Sequence, residues 1–409
     1  MKKFLLAIVA VAAIAFGSLG VTKDDYGKYF SVTVGASIGE KTATDVVLPI
    51  RLTAAISGLD LADFEQTDGS DMIILDGQAN ALPYEIEEWN VVGKSAVIWV
   101  KVPSVSAGTV LTIYYKGPKN TDNVPSAVWN NYLGVWHLGD GTVVSGQPTA
   151  CADSTANGRN GASTPRTSIS SGFFGKARRT RTSNYNNANV GGVFLPSMEL
   201  KGAFAISGWF KQYWWGKSVM MSTKGALADQ GFLLAVMNGN AQSQIEAVGD
   251  TPANGWNSVK WTAGTLMTSW ADWNHFVYVA DGQNNIYVYI NGQLAGKAPS
   301  AASVTDVDRS IALGCMSTDD CFADTGTPAI ASFAADIDEA RIQSYDNFSA
   351  DRLAIEIGIA RDNSALSYSS VTEQGGLSVN MTYTCVQHQA PAEVEYVAEI
   401  EGASGEVVY

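Results

Sequence analysis

Two short stretches carry carboxylates at spacings that could do chemistry. In Glu85–Trp89, EIEEW, and in Asp336–Ala340, DIDEA, acids stand two residues apart, and in a strand such residues share one face. Carboxyls about 5 Å apart, one of them protonated, are the machinery of retaining glycoside hydrolysis. Glu85 with Glu87, and Asp336 with Asp338, are the candidate pairs. Strict alternation sends the adjacent Asp338 and Glu339 to opposite faces.

A second constellation is DSTANGRNG, Asp153 to Gly161. Oxygen-bearing Asp153, Thr155 and Asn157, then Gly158, repeat the first half of a calcium loop, in which alternate residues turn oxygens inward and Gly permits the bend. Position twelve is Thr164, not a bidentate Glu. Calcium is therefore a candidate cofactor with Asp153 and Asn157 as ligands, completed from a loop such as the one holding Asp319, Asp320 and Asp324. An Asx-type turn is the structural alternative.

Aromatic rings form the third candidate. Tyr213, Trp214 and Trp215 follow a strand-like run in KQYWWGKS. Exposed ring clusters mark binding surfaces, and ring faces suit the C–H faces of sugars, so these three are candidate ligand-binding residues. Burial against a neighbouring domain is the alternative. The three histidines are His137, His275 and His388, and no Gly-x-Ser-x-Gly motif accompanies them. A hydrolase triad has no support, and no phosphate-binding Gly loop stands out.

Forty acidic against 26 basic residues give a net charge of −14. Nucleic acid and anionic membrane surfaces are repelled by such a chain, and partners should be neutral or cationic. Residues 1–20 combine Lys2 and Lys3 with the apolar run Phe4–Phe16 and then small residues. That is the layout of a secretory signal peptide, with cleavage before Ser18 or Val21, and the run is too short to span a bilayer. No later stretch reads as a transmembrane span, so the protein is expected to be secreted, extracellular or in the cell envelope. Four cysteines agree with an oxidising compartment. Cys315 and Cys321 close one loop, which leaves Cys151 to pair with Cys385; four free thiols are the alternative.

These groups must be held by β-structure. At 409 residues, with 40 Gly and many Tyr, Trp, Val and Thr, the chain suits two or three all-β units. Residues 21–124 contain six strand-like runs, YFSVTVG, DVVLPIRL, DMIILDG, ALPYEIEEW, SAVIWVKVP and TVLTIYYKG, each bounded by turn residues. A linker, KNTDNVPSA, leads into VWNNYLGVWHL, the expected first strand of a second unit over residues 128–371. Residues 140–189 are rich in Gly, Ser, Thr and Asn and read as surface loops. Ser349 caps an expected helix, SADRLAIEIGIAR, although its apolar residues alternate after Leu353. Residues 372–409 hold two further strand-like runs, which must dock on the sandwich or begin a further domain.

From Tyr132 to about Val371 the chain resembles the laminin G-like branch of the concanavalin A-like lectin/glucanase superfamily. The matching residues are Trp273, His275, Asp281, Gly282, Tyr287, Val288, Asn291, Gly292, Phe333, Ile337, Asp338 and Glu339. The resemblance implies a jelly roll. It also implies that a catalytic strand would carry acids at i, i+2 and i+4, a set broken here by Trp89 and by Ala340. In related modules the strand of Asp338 is structural, so Asp338 should hold loop backbone or pair with Arg341. Residues DGSDMIILDGQANALPYEIEEWN and VIWVKVPSVSAGTVLTIYYKGP resemble a bacterial domain of unknown function that commonly precedes laminin G-like modules. The combined reading is two consecutive β-sandwich domains forming a secreted or cell-surface, non-enzymatic recognition protein. Its expected partner is a glycan or a cell-surface protein. The alternatives are a structural spacer in an envelope assembly and a glycoside hydrolase.

Overall fold

The computed structural model describes residues 21–141, 149–165, 167–180, 191–200, 202–213, 217–223, 231–237, 244–248, 259–262, 264–267, 269–283, 285–299, 310–315, 334–375, 378–384 and 395–401. Residues 1–20, expected as a signal peptide, lie outside them. All six strands expected of the first unit are present: β1 (Lys28–Val34), β2 (Ala43–Thr53), β3 (Met72–Leu75), β4 (Tyr84–Asn90), β5 (Ser95–Val105) and β6 (Val110–Tyr115). They form two antiparallel sheets, β3-β6-β1 and β2-β5-β4. In β1 the alternation is clean, with Phe30, Val32 and Val34 inward. The β2 and β5 strands are instead apolar on both faces. Val46, Leu48, Ile50, Ile98 and Val100 fill the sandwich, whereas Val47, Val97 and Trp99 face the second unit.

Helix α1 (Ala350–Arg361) begins at Ser349, whose Oγ accepts the Arg352 N–H at 3.2 Å. Its alternating apolar pattern has a physical cause: two cores flank it. Ile355 and Ile359 enter the first sandwich, while Leu353, Ile357 and Ala360 enter the cluster between the units. After the helix, Leu366–Tyr368 and Thr372–Glu373 pair antiparallel with β1. The first sandwich is thus completed by residues that follow the jelly roll, and the boundary expected at residue 371 falls within its sheet.

The expected opening strand of the second unit is a 3-10 turn, Pro125–Trp129, followed by a short strand, β7 (Gly134–Trp136). Pro125 at the start of the turn fixes a helical φ there. Two sheets then pack face to face. One runs Ser168–Ser171, Lys176–Arg179, Ala335–Ser344, Ala203–Gln212, Asn274–Asp281, Asn285–Ile290, Gln293–Pro299, with β7 beside Ala335–Ser344. The other includes Leu233–Met237, Lys217–Ser222, Ile311–Leu313 and Val193–Leu195. Trp136, Phe204, Phe210, Phe232, Tyr278 and Ile337 are among the side chains between them. Asp281 makes the turn between Asn274–Asp281 and Asn285–Ile290, its Oδ1 accepting the N–H groups of Gln283 and Asn285 while Gly282 takes φ 70°. Residues 140–189, expected as loops, include the short strands Thr149–Cys151, Gly161–Ser163, Ser168–Ser171 and Lys176–Arg179. Beyond residue 375, Ser378–Thr384 and Glu395–Glu401 pair with each other as a hairpin.

Candidate functional site at the junction of the sandwiches

The outer face of β2-β5-β4 packs on the outer face of the jelly-roll sheet. Val47, Trp99, Trp129, Tyr132, Phe174, Trp209 and Val277 form one buried cluster there, with Leu353 and Ile357 of α1. Each large apolar side chain so buried contributes roughly 1.5–3 kcal/mol. The junction is therefore a third core, and polar groups inside it are held in place.

Two β-bulges aim acids into this junction. In the strand Ala335–Ser344, the residues facing the jelly-roll interior are Ala335 and Ile337, then Ala340 and Ile342. The alternation slips by one between Ile337 and Ala340, opposite the register shift at Ser207/Trp209. Glu339 takes φ 53°, a left-handed conformation that a non-glycine residue adopts only when its surroundings impose it. Asp338 and Glu339 consequently both face the first unit, which corrects the expectation of opposite faces. The same slip occurs in β4, between Ile86 and Glu88. There Ile86 and Trp89 both pack on the first core, and Glu85 and Glu87 face the second unit. The two stretches share one pattern, acid-Ile-acid-Glu-apolar, and a bulge extrudes an extra acid in each, as bulges beside functional sites do.

His137, directly after β7, joins the two strands. Its Nδ1 lies 2.5 Å from Glu339 Oε1 and 3.8 Å from Glu87 Oε2, and its Nε2 lies 3.2 Å from Glu85 Oε2. Glu339 Oε2 accepts from Arg341 Nη2 at 2.7 Å, and the Arg341 guanidinium sits over the rings of Trp99 and Trp129 at 4.4 and 4.7 Å. Trp99 donates its indole N–H to Glu87 at 2.8 Å, and Trp129 donates to Glu85. Asp338 Oδ2 accepts the backbone N–H groups of Phe173 and Phe174 at 2.8 and 2.9 Å. Asp338 thus holds loop backbone as expected, while the partner of Arg341 is Glu339.

Burial and neighbouring charge separate these groups. Burial, reinforced by the charge of Glu339, pushes the Glu87 carboxyl up to about 8. Burial and the same neighbour raise Asp338 well above the carboxylate range. For Glu339 burial works upward, but His137 and Arg341 outweigh it and hold the carboxyl below its ordinary value. Burial disfavours the His137 cation, yet Glu339 and Glu87 raise its pKa well above that of free imidazole. The arrangement is a buried proton-holding network in which one atom each from Glu87, His137 and Glu339 lie within 4.8 Å of one another, so these three could together hold a metal ion.

Beside the network opens a cleft of about 520 Å³, lined by Glu85, Glu87, Glu88, Trp89 and Asn90 of the first unit and by His137, Asp140, Ser154 and Lys176 of the second. The sequence contained both acidic stretches but not their meeting, because Glu85 and Glu339 are brought together only through tertiary packing. Ile337 and Ile342, an odd number of positions apart in one strand, are the sequence signal of the bulge.

Other expected site residues lie elsewhere. Tyr213 is 46% exposed, but its hydroxyl donates to Asp336, accepts from Arg179 at 2.8 Å, and its ring lies beneath that guanidinium. Trp214 and Trp215 lie outside the described residues. Asp153 accepts from Val135 N and Thr155 N through Oδ1, and from Thr155 Oγ1 and Arg159 N through Oδ2. Asn157 Nδ2 donates to the carbonyls of Tyr132 and Leu133. The loop has the Asx-type hydrogen bonds of the structural alternative, with both oxygens of Asp153 accepting from within the protein. Cys151 is a buried free thiol, against the expected bridge to Cys385, and burial pushes it up to about 12. Cys315 packs against Phe194 and Ala312, while Cys321 and Cys385 lie outside the described residues. His275 is a packed core residue, 4% exposed and edge-on to Trp209. Among the described residues no helix is long and apolar enough to cross a membrane.

Comparison with known proteins adds the following. Residues 68–128 match the model of a domain of unknown function, DUF2341, and residues 184–352 match that of the concanavalin A-like lectin/glucanases superfamily, Laminin_G_3. No curated protein matches the chain. Similar solved structures include the binding domain of botulinum neurotoxin DC in complex with rat synaptotagmin II, at 11% identity and TM-score 0.42, covering 57% of this chain and 52% of that one. A botulinum neurotoxin type C structure, whose cell entry depends on two ganglioside molecules, is similar at 11% identity and TM-score 0.42, covering 58% and 53%. Domain 4 of a GH43 extracellular arabinanase from Geobacillus stearothermophilus, in complex with arabinotriose, is similar at 18% identity and TM-score 0.35, covering 50% and 92%. The chain spans about half the length of the two toxin structures. The order of the two family matches agrees with the order of the two sandwiches, and the chain carries a DUF2341 domain followed by a laminin G-like domain of the concanavalin A-like lectin/glucanase superfamily.

Proposed function

We propose that this is an exported recognition protein whose junction cleft takes a carbohydrate without cleaving it. The supporting observation is the cleft of about 520 Å³, where Glu88, Asn90, Asp140, Ser154 and Lys176 offer acceptors and donors. Sugars present many hydroxyls, and convergent polar side chains in a cleft complement them. The net charge of −14 favours a neutral or cationic ligand over a polyanion. Export rests on the basic start and apolar run of residues 1–20.

Binding without hydrolysis is supported by how the acids are used. Glu339 is 1% exposed with both oxygens engaged, and Asp338 is fully buried against backbone N–H groups. Neither is presented to a glycosidic bond. A glycan array followed by calorimetric titration of the mature chain tests the reading. A Glu88→Ala, Lys176→Ala double variant should bind tenfold to a hundredfold more weakly, the equivalent of about 1–3 kcal/mol in lost hydrogen bonds. A Trp214→Ala, Trp215→Ala variant tests the loop aromatics as the second proposed contact. Unchanged affinity in both variants places the ligand elsewhere, and release of sugar from any bound glycan overturns the non-catalytic reading.

A further inference from the structure

We propose that Glu87, His137 and Glu339 form a site for a divalent transition-metal ion of the zinc class, which clamps the first sandwich to the jelly roll. The proposal is independent of the ligand of the cleft above. Three separate segments supply the donors: the bulge of β4, the residue after β7 and the bulge of Ala335–Ser344. One donor atom from each lies within 4.8 Å of the others. His137 Nδ1 faces both carboxylates, at 2.5 Å from Glu339 and 3.8 Å from Glu87.

The imidazole is oriented as metal-ligating imidazoles are. Its far nitrogen, Nε2, faces the Glu85 carboxylate at 3.2 Å, and a carboxylate on the second nitrogen fixes tautomer and ring angle in such sites. Glu87 is itself held by the Trp99 indole N–H. A second observation points the same way. Asp338, next in the strand to Glu339, is fully buried and its Oδ1 has no hydrogen-bond partner, so the junction holds a polar oxygen that its present neighbours leave unused. Four acids, Glu85, Glu87, Asp338 and Glu339, meet there with the basic side chains of His137 and Arg341, and the Arg51 guanidinium lies over the rings of Phe173 and Phe174 beside them.

The donor set selects the ion. One nitrogen and two carboxylate oxygens suit zinc and its neighbours, whereas calcium takes six to eight oxygens. Ligands about 2.0–2.1 Å from a tetrahedral ion stand roughly 3.3 Å apart. The His137–Glu339 contact must open by less than about 1 Å, and the proton now between them leaves to solvent. Glu85, Glu87 and His137 all line the cleft, which provides the entry path.

The test uses the full mature chain stripped with chelator and titrated calorimetrically with zinc chloride and, separately, calcium chloride. One zinc per chain is expected, with calcium at least a hundredfold weaker, and the heat should vary with buffer ionisation because a proton is released. Cobalt(II) should give the visible absorption of a tetrahedral site. Glu87→Gln keeps an acceptor for Trp99 and should weaken zinc at least tenfold; Glu85→Gln, which only orients the imidazole, should cost tenfold to a hundredfold. Glu40→Gln, an exposed acid of the first sandwich outside the cleft, is the control and should leave zinc binding unchanged. Failure of the wild type to bind zinc or cobalt overturns the proposal, as does equal binding by wild type and by folded Glu87→Gln and His137→Gln variants.

Discussion

Glu85 of the first sandwich and His137 of the second stand 3.2 Å apart, and the other ring nitrogen of His137 contacts Glu339 at 2.5 Å. One imidazole therefore ties a β4 bulge to a jelly-roll bulge inside a junction built on buried aromatic rings. Removing one partner of a buried ionic network costs about 3–5 kcal/mol, because the opposite charge is left without compensation. His137→Ala should lower the unfolding free energy by that amount. A loss under about 1 kcal/mol in urea unfolding would show that the network contributes little to holding the sandwiches together.

The helix that follows the jelly roll belongs energetically to the first sandwich. Ile355 is 1% exposed and sits in that core beside residues of β1, β2 and β5. Ile355→Ala should destabilise by about 2–5 kcal/mol. Hydrogen exchange should then show lost protection in β1 and β2, hundreds of positions away in sequence. Protection changes confined to the jelly roll would contradict this assignment.

Much of the fold was legible in the chain, and the reason is local. Six runs bounded by turn residues became β1 to β6, and Asp281-Gly282 made its turn, because alternation and turn chemistry are set by neighbours in sequence. Closure of the first sandwich by Leu366–Tyr368 was not legible, since it pairs with Val32–Val34 across the whole inserted jelly roll. The site was missed for a different reason. Glu85, Glu87, Asp338 and Glu339 were all visible as acids, but strict alternation assigned Asp338 and Glu339 to opposite faces, and a single extra residue in each strand reverses that geometry.

Acid should weaken the protein through His275. Burial, together with Arg341 and Arg361, lowers its pKa to about 3, against about 6.5 in an unfolded chain. A histidine whose folded pKa is depressed binds its proton preferentially in the unfolded state. Its contribution is fully present above pH 6.5 and is lost as pH falls toward 3, at up to about 1.4 kcal/mol per pH unit. His275→Phe keeps a ring against Trp209 without a titrating group. The variant should show a shallower fall in unfolding free energy between pH 6.5 and 4, and an unchanged slope would remove His275 as the cause.

Asp338 allows the proton network to be tested by one isosteric exchange. Its Oδ2 accepts the N–H groups of Phe173 and Phe174, its Oδ1 has no partner, and burial keeps its carboxyl protonated well above the usual range. Asparagine has the shape of a protonated aspartic acid and retains one oxygen for both N–H groups. Asp338→Asn should therefore cost less than about 1 kcal/mol near neutral pH. Asp338→Ala leaves two buried N–H groups without acceptors, at about 1–3 kcal/mol each. The pH dependence separates charge from shape. A carboxyl whose folded pKa is raised contributes stability that is fully present below its unfolded pKa and is lost as pH rises through the folded value. Wild type should thus lose stability more steeply than Asp338→Asn as pH rises above the unfolded carboxylate value of about 4, since the variant has no proton to give up at this position. Parallel slopes for the two proteins, measured by urea unfolding from pH 4 to 8, would mean that Asp338 ionises in the folded chain as readily as in the unfolded one.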